Sequence, residues 1–277
     1  MSTATTASTP TTRIALRHSG HRHGPITRLM SPGDVGQLTK PFVFLDDIAA
    51  PAGGGPRFGF HPHSGIATLS VPLTFDIEHE TSEGRIDHVA AGGQEWMQAG
   101  SGIWHKSQVT STAAIEGYQL WLALPATHEL AEPVAAFIPP EQVPTLGPAK
   151  LLLGSHAGQR SAVPAPHNAN LFWVELAPGQ SWHYPVPKGH SVLWLAAKRG
   201  SVEVAGETLR SELAVLAHEG TEPLHFSSAE GGGFLFGSAV LHPHELVLGN
   251  YSVHTTAEAL EQGEARIREI GQGLKQR

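Results

Sequence analysis

Through most of the chain, apolar residues come in short runs that partly alternate with polar ones and end at Gly, Pro, Ser or Asp. The run 41–48 (PFVFLDDI) is compact and closes on two acids, which predicts a strand entering a polar turn. Similar runs follow at 66–73, 75–80, 85–92, 94–109 and 115–125. Turns spaced every roughly 8–12 residues predict the strands of a sandwich or barrel. The stretch 13–29 alternates poorly and breaks at Gly24-Pro25, and 51–60 (PAGGGPRFGF) reads as a loop. Residues 126–150 carry Pro133, Pro139, Pro140, Pro144 and Pro148 with weak periodicity and read as a connection. A second set of runs follows, among them NLFWVEL, HSVLWLAA and GGFLFGSAV, with tight turns at 178–180 and 205–207. Only the end reads as a helix. Thr255 and Glu258 have the spacing of a capping box, and Leu260, Ile267, Ile270 and Leu274 share one helical face.

This pattern predicts an all-β chain. It divides into a disordered tail (1–12), an N-terminal barrel (13–130), a linker (131–150), a C-terminal barrel (151–245) and a returning strand with a terminal helix (246–277). The length of 277 residues agrees with about two domains. Gly (31) and Pro (21) favour many turns and short strands. Cysteine is absent, which excludes disulfides, thiolate ligands and Cys nucleophiles. A net charge of -7 argues against a broad electrostatic grip on nucleic acid. No run of about 18 apolar residues predicts a membrane span. The Ser/Thr-rich start lacks the apolar segment of a secretory signal, so a cytoplasmic location is expected.

Histidine stands out at 18 residues. His18, His21 and His23 read as a solvated segment. His61 and His63 are different: in a strand, residues i and i+2 face the same side, so two imidazoles beside a Gly-rich loop can clasp one metal ion. Pro62 between them predicts an edge strand or a strand start. His105, after the Gly-rich turn of AGSGIWH, lies on a later strand that a barrel can bring alongside. Three neutral nitrogens with open positions make a catalytic type of site. Other chemistries find no support. No phosphate loop precedes a helix, no GxSxG elbow occurs, and Asp46 and Asp47 are adjacent and face opposite sides. His183 and His190 flank a Pro-rich turn, and the string 241–245 (LHPHE) reads as a linking turn.

HPHSG, followed by QEWMQAGSGIWH, resembles the metal-binding region of pirins. PFVFLDDI and GYQLWLALP resemble that family's early strand and the strand closing its first barrel, and the stretch 248–267 is similar to its returning strand and helix. The resemblance implies two cupin (jelly-roll) β-barrels in tandem with a C-terminal α-helix. It implies a divalent metal, Fe(II) first and Zn, Ni, Mn or Cu as alternatives, held in the N-terminal barrel by three His and one Glu. His61, His63 and His105 fill the His positions. The Glu position, two residues after the third His, is Ser107 here, and a further family Glu position is Ala67. Glu95, Ser107 and Gln108 are the candidate auxiliary groups, and Trp96, Met97 and Trp104 the candidate pocket wall. Three functions follow from the resemblance: a quercetinase-type dioxygenase acting on a small aromatic, flavonol-like ligand; a regulatory protein with a protein partner; and a metal-free bicupin that binds a small ligand.

Overall fold

A computed structural model of the chain describes residues 12–55 and 57–275. The expected tail lies outside the described residues apart from Thr12, which already belongs to a strand. The first half contains β1 (Thr12–His18), β2 (His21–His23), β3 (Ile26–Met30), the one-turn helix α1 (Val35–Thr39), β4 (Phe42–Ala50) and β5 (Arg57–His63). It continues with β6 (Ile66–Pro72), β7 (Ile77–Thr81), β8 (Ile86–Val89), β9 (Gln94–Gln98), β10 (Ile103–Val109), β11 (Ile115–Ala123) and β12 (Val134–Ile138). The second half has β13 (Thr145–Leu146), β14 (Ala149–Leu153), the small hairpin β15 (Ser155–His156) and β16 (Gln159–Arg160), β17 (Ala169–Leu176) and β18 (Gln180–Tyr184). After these come β19 (His190–Gly200), β20 (Val202–Val204), β21 (Glu207–Leu209), β22 (Leu213–His218), β23 (Leu224–Ser228) and β24 (Gly232–Val240). The chain ends with β25 (Val247–Leu248), β26 (Val253–His254) and α2 (Ala257–Leu274).

Each half is a seven-stranded sheet facing a four-stranded one. The first half has orders β12-β9-β6-β11-β4-β3-β2 and β5-β10-β7-β8, and the second β1-β22-β19-β24-β17-β14-β13 and β18-β23-β20-β21. Position by position, the two orders are the same. The tandem all-β repeat expected from the turn spacing is present, with the helix at the end.

Two pairings cut across the expected division. β1 leaves its own half and pairs antiparallel with β22, so Thr12–His18 forms the outer edge of the second large sheet. β12 takes the equivalent edge in the first sheet, beside β9. The Pro-rich connection therefore holds strands of both halves, because each apolar alternation in it finds a sheet edge to cover. In the same way, the end of the expected loop 51–60 is drawn into β5.

The two large sheets bury one shared apolar layer, with Phe42, Leu69, Trp96 and Leu120 from the first half and Leu171, Trp173, Trp194 and Leu235 from the second. Full burial of such a side chain contributes about 1.5–3 kcal/mol, so this layer holds the halves together. Ion pairs seal its rim. Lys198 binds Asp47, and Arg199 Nε donates to Glu116 at 2.6 Å. Asp47 is thus an inter-half anchor.

Helix α2 differs from its expected form by one residue at its start. Thr256, not Thr255, is the cap, and its hydroxyl accepts from Ala259 N at 3.1 Å. Thr255 is taken instead by Glu129, which accepts from its N–H at 2.7 Å and its hydroxyl at 2.6 Å. The buried line of the helix is Ala259, Gly263, Ile267 and Gly271, while Leu260, Ile270 and Leu274 are half-buried. Small residues win because the helix backbone approaches closely. A Cβ at Gly271 would lie 2.6 Å from the Trp104 ring.

Candidate metal centre

β5 is an edge strand, as Pro62 predicts, and among the described residues its only ladder partner is β10. In that antiparallel register His61 stands opposite His105 and His63 opposite Ile103. His61 and His63 share the inner face, and a register shift after His105 marks a bulge in the ladder. The three imidazoles meet. Ring centroids are 4.9 Å apart for His61 and His63, 4.3 Å for His61 and His105, and 5.1 Å for His63 and His105. One ligand nitrogen from each lies within 4.8 Å of the others.

Their hydrogen bonds decide which nitrogen faces inward. His61 Nδ1 donates to the Gly59 carbonyl at 2.8 Å, and His63 Nδ1 donates to the Tyr251 carbonyl at 3.2 Å. A carbonyl only accepts, so each Nδ1 carries the hydrogen and each Nε2 keeps a lone pair. His105 Nε2 is buried and has no hydrogen-bond partner among the described residues. Burial pushes all three imidazoles below their ordinary range, His63 to about 3, with neighbouring imidazoles adding to the fall for His63 and His105. Three neutral nitrogen donors, one of them the buried and unpartnered His105 Nε2, fit a divalent transition metal.

The tail of the chain builds the floor of this cluster. A Cβ at Gly65 (φ +72°) would lie 2.0 Å from the Val253 carbonyl, so only glycine lets residues 251–255 cross here. Ser64 Oγ donates to Ser252 Oγ at 2.9 Å and contacts His254 Nε2 at 3.0 Å, and His254 Nδ1 lies 3.3 Å from Glu129. Ser64, His254 and Glu129 have the order of a nucleophilic triad, but Ser64 is fully buried. The row acts as an anchor that carries Tyr251 to His63.

The cluster opens on a cavity of about 550 Å³. Its wall includes Phe44, Phe58, Trp121 and Tyr251, with Arg28 and Asp46 at one side and Ser107 and Gln119 at another. Phe44 stacks on Trp121 at 4.0 Å and 7°, the Arg28 guanidinium lies 3.9 Å over the other face of Phe44, and Trp121 meets the His63 ring edge-on at 4.9 Å. Arg28 also binds both oxygens of Asp46. Burial raises the Asp46 carboxyl, and Arg28 opposes that rise.

Several expected neighbours are elsewhere. Trp96 and Met97 are fully buried core residues, and Trp104 lines a separate groove where its Nε1 donates to the Ile267 carbonyl at 2.7 Å. None of the three lines the cavity, because their strand positions place them against the shared core, a small satellite core and α2. Gln108 faces solvent and donates to Glu78 at 2.8 Å. Ser107 does reach the cavity wall. Glu95 is buried, accepts from Ser70 and sits 3.3 Å from His79 Nε2. His79 in turn lies 2.8 Å from His105 Nδ1. Sequence reasoning misses His79 although it alternates inward along 77–81, where every second residue is buried. It also misses Phe44 and Trp121, which sit in runs that read only as strands. In the string 241–245, His242 Nε2 faces the Leu124 carbonyl at 3.2 Å and Lys40 Nζ donates to the His244 carbonyl at 2.8 Å, so this segment ties a turn to the first half.

Comparison with known proteins places these features in a family. Residues 25–122 match the family model Pirin, and residues 152–236 match the model for the quercetinase C-terminal cupin domain. A Pseudomonas aeruginosa protein named "Putative quercetin 2,3-dioxygenase" is 30% identical over 267 residues, 88% of this chain and 92% of its own. A pirin-like protein of Caulobacter vibrioides is 31% identical over 204 residues, 67% of this chain and 69% of its own. Among solved structures, a quercetin 2,3-dioxygenase from Acinetobacter baumannii superposes with a TM-score of 0.83 at 21% identity, covering 92% of this chain and 96% of its own. A bacterial pirin in complex with nickel(II) from Escherichia coli gives 0.65 at 19%, covering 83% and 100%. Among the described residues, no helix is long and apolar enough to cross a membrane.

Proposed function

Because this chain belongs to the pirin family and has the two-cupin fold, we propose that His61, His63 and His105 hold one divalent metal, Fe(II) by preference, in an oxygen-dependent enzyme for flat aromatic, flavonol-like substrates. The observation that carries this reading is the convergence of three buried or half-buried imidazoles, one ligand nitrogen from each within 4.8 Å of the others, with the Nδ1 of His61 and of His63 held by backbone carbonyls. The names of the Pseudomonas and Acinetobacter proteins support the substrate class, and the nickel complex of the Escherichia coli pirin supports a metal in this fold.

When bound, such a metal supplies open positions at which substrate and oxygen are organised and activated. The chain's own residues do the rest. The Gly59 and Tyr251 carbonyls hold His61 and His63 in the ligating tautomer. Trp121, braced by Phe44, presents an aromatic wall beside His63. Phe58 and Tyr251 stand at the rim, 37% and 45% exposed, where a planar ligand would exclude water from both. Asp46, steadied by Arg28, offers the cavity a carboxylate that can receive a phenolic proton at Oδ1 or Oδ2.

The test is metal content of tag-free protein beside a His61→Ala/His105→Ala double variant, followed by oxygen uptake with flavonols. Near one equivalent in wild type, lost in the variant, with oxygen consumed only by the loaded wild type, is the expected result. Failure to take up Fe(II) on reconstitution sinks the enzyme reading and leaves a binding or regulatory scaffold.

A further inference from the structure

Behind the three imidazoles lies a second buried polar group that the proposed chemistry does not use. His79 and Glu95 are 0% and 1% exposed. His79 Nε2 stands between two neighbours, His105 Nδ1 at 2.8 Å and Glu95 Oε1 at 3.3 Å. The far oxygen of Glu95 accepts from Ser70, which also contacts Gln119 at 2.8 Å on the cavity wall. Glu95, His79 and His105 thus form a line from the interior to the cluster.

One hydrogen lies between His105 Nδ1 and His79 Nε2, and its position sets the face that His105 shows. On His79 Nε2, it obliges neutral His105 to keep its own hydrogen on Nε2, a buried site without an acceptor. On His105 Nδ1, it leaves Nε2 as a third lone pair beside those of His61 and His63 and moves the hydrogen of neutral His79 to Nδ1, also buried without an acceptor among the described residues, so a cation on His105 Nε2 is what selects this arrangement. The cluster itself brings no negative charge, since all three donors are neutral. Glu95 holds a carboxylate one residue behind, where water does not screen it.

Resting on the three-His reading, we propose that His79 and Glu95 are positioning residues of the metal centre. His79 fixes His105 with Nε2 turned toward the metal, and Glu95 supplies from outside the ligand set the negative charge that a ligating carboxylate would supply from within it. Partners of this kind usually govern metal affinity by about 10–100-fold when removed.

The experiment uses full-length protein and Co(II), with affinity read by competition against a chromophoric chelator. Wild type should bind one equivalent. Glu95→Gln, which keeps the shape and the Ser70 bond, should bind about 10–100-fold more weakly. His79→Gln should fall by a similar factor, the double variant should fall by less than the product of the two, and Glu95→Asp should recover part of the loss. A companion measurement needs no variant: histidine ring 15N spectra of Zn(II)-loaded wild type should show His105 metallated at Nε2 and protonated at Nδ1. Unchanged Co(II) affinity in both single variants, or metal carried by His79 or by His105 Nδ1, overturns the proposal while the three-His reading stands. A wild type that takes up neither Co(II) nor Zn(II) overturns both. If Glu95→Gln does not fold, the wild-type spectra decide.

Discussion

Strands β5 and β18 occupy the same edge in two four-stranded sheets of the same order, and so do β10 and β23 next to them. In the first half these strands put His61 opposite His105 on the inner face. In the second they put Trp182 opposite Phe226. The i, i+2 partner is His63 in one and Tyr184 in the other. Around Trp182 and Tyr184 the second interior is filled with rings, Phe172, Phe226, Phe234 and Phe236, at centroid distances of 4.9–6.4 Å. The same exchange occurs deeper: Glu95 opposite Ser70 in the first half corresponds in ladder position to Ala214 opposite Leu195 in the second. One scaffold is packed solid where the other keeps a cavity lined by polar groups. The fold is therefore indifferent to what fills it. The second half supplies aromatic packing energy, and the first gives that up for a cavity lined by three converging imidazoles.

The sharpest way to break this comparison is to make the same kind of change on both sides. Phe226→Ala should cost about 3–5 kcal/mol of unfolding free energy while leaving metal stoichiometry intact. His105→Leu, at the corresponding place, should abolish metal binding and change the metal-free stability by less than the Phe226 truncation, because it replaces a buried imidazole lacking an Nε2 partner with an apolar group. Urea unfolding of both variants without metal checks this. A larger loss from His105→Leu would show that the cluster, not the aromatic core, carries stability.

Much of this contrast is legible in the sequence, and the rest is not for identifiable reasons. His61 and His63 are two apart in a strand, so period-2 geometry alone puts them together, and His105 follows from the family pattern. His79 stays hidden because a single His in an alternating strand carries no signature. Its role comes from β7 lying beside β10, a long-range pairing that no local pattern records. Trp96, Met97 and Trp104 read as pocket wall because they are large and near His105 in sequence, but neighbouring strand positions face opposite sides. β1 is unreadable as part of the second half for the same reason as His79: its partner, β22, is about two hundred residues away. The helix cap lies at Thr256 instead of Thr255 because Glu129, distant in sequence, already holds Thr255.

Acid gives the next largest effect. Burial lowers the folded pKa of His63 to about 3 from its ordinary value of 6.5. Below pH 6.5 the unfolded chain takes up a proton that the folded chain refuses, so this contribution to stability is present above 6.5 and is lost as pH falls toward 3. The loss approaches about 1.4 kcal/mol per pH unit within that window. Metal-free protein should therefore show a urea midpoint that drops between about pH 7 and about pH 5. His63→Phe, which copies the aromatic filling of the second half, should flatten the drop. A midpoint in the wild type that does not move with pH would contradict the burial of the cluster.

Glu129→Ala tests the anchor. It leaves the half-buried Thr255 N–H and the buried His254 without their carboxylate and should cost about 1–3 kcal/mol. Its informative readout is local. Amide exchange should rise in residues 251–274 and not in the second half, and metal affinity should fall because Tyr251 no longer holds His63 firmly. Faster exchange with unchanged metal affinity would detach the C-terminal segment from the site.

The smallest effect belongs to Trp104. Its ring lies against Gly271, and its Nε1 donates to the Ile267 carbonyl at 2.7 Å, a bond a helix carbonyl can do without because it has a second lone pair. Trp104→Phe keeps most of the apolar contact and removes the donor, so about 1 kcal/mol is expected. Since Trp104 lines a groove separate from the cavity of His61, His63 and His105, metal affinity and any turnover should stay at wild-type values. A change in either would mean that α2 transmits its position through β10 to His105, one residue along, and the helix would then belong to the metal half in function as well as in contact.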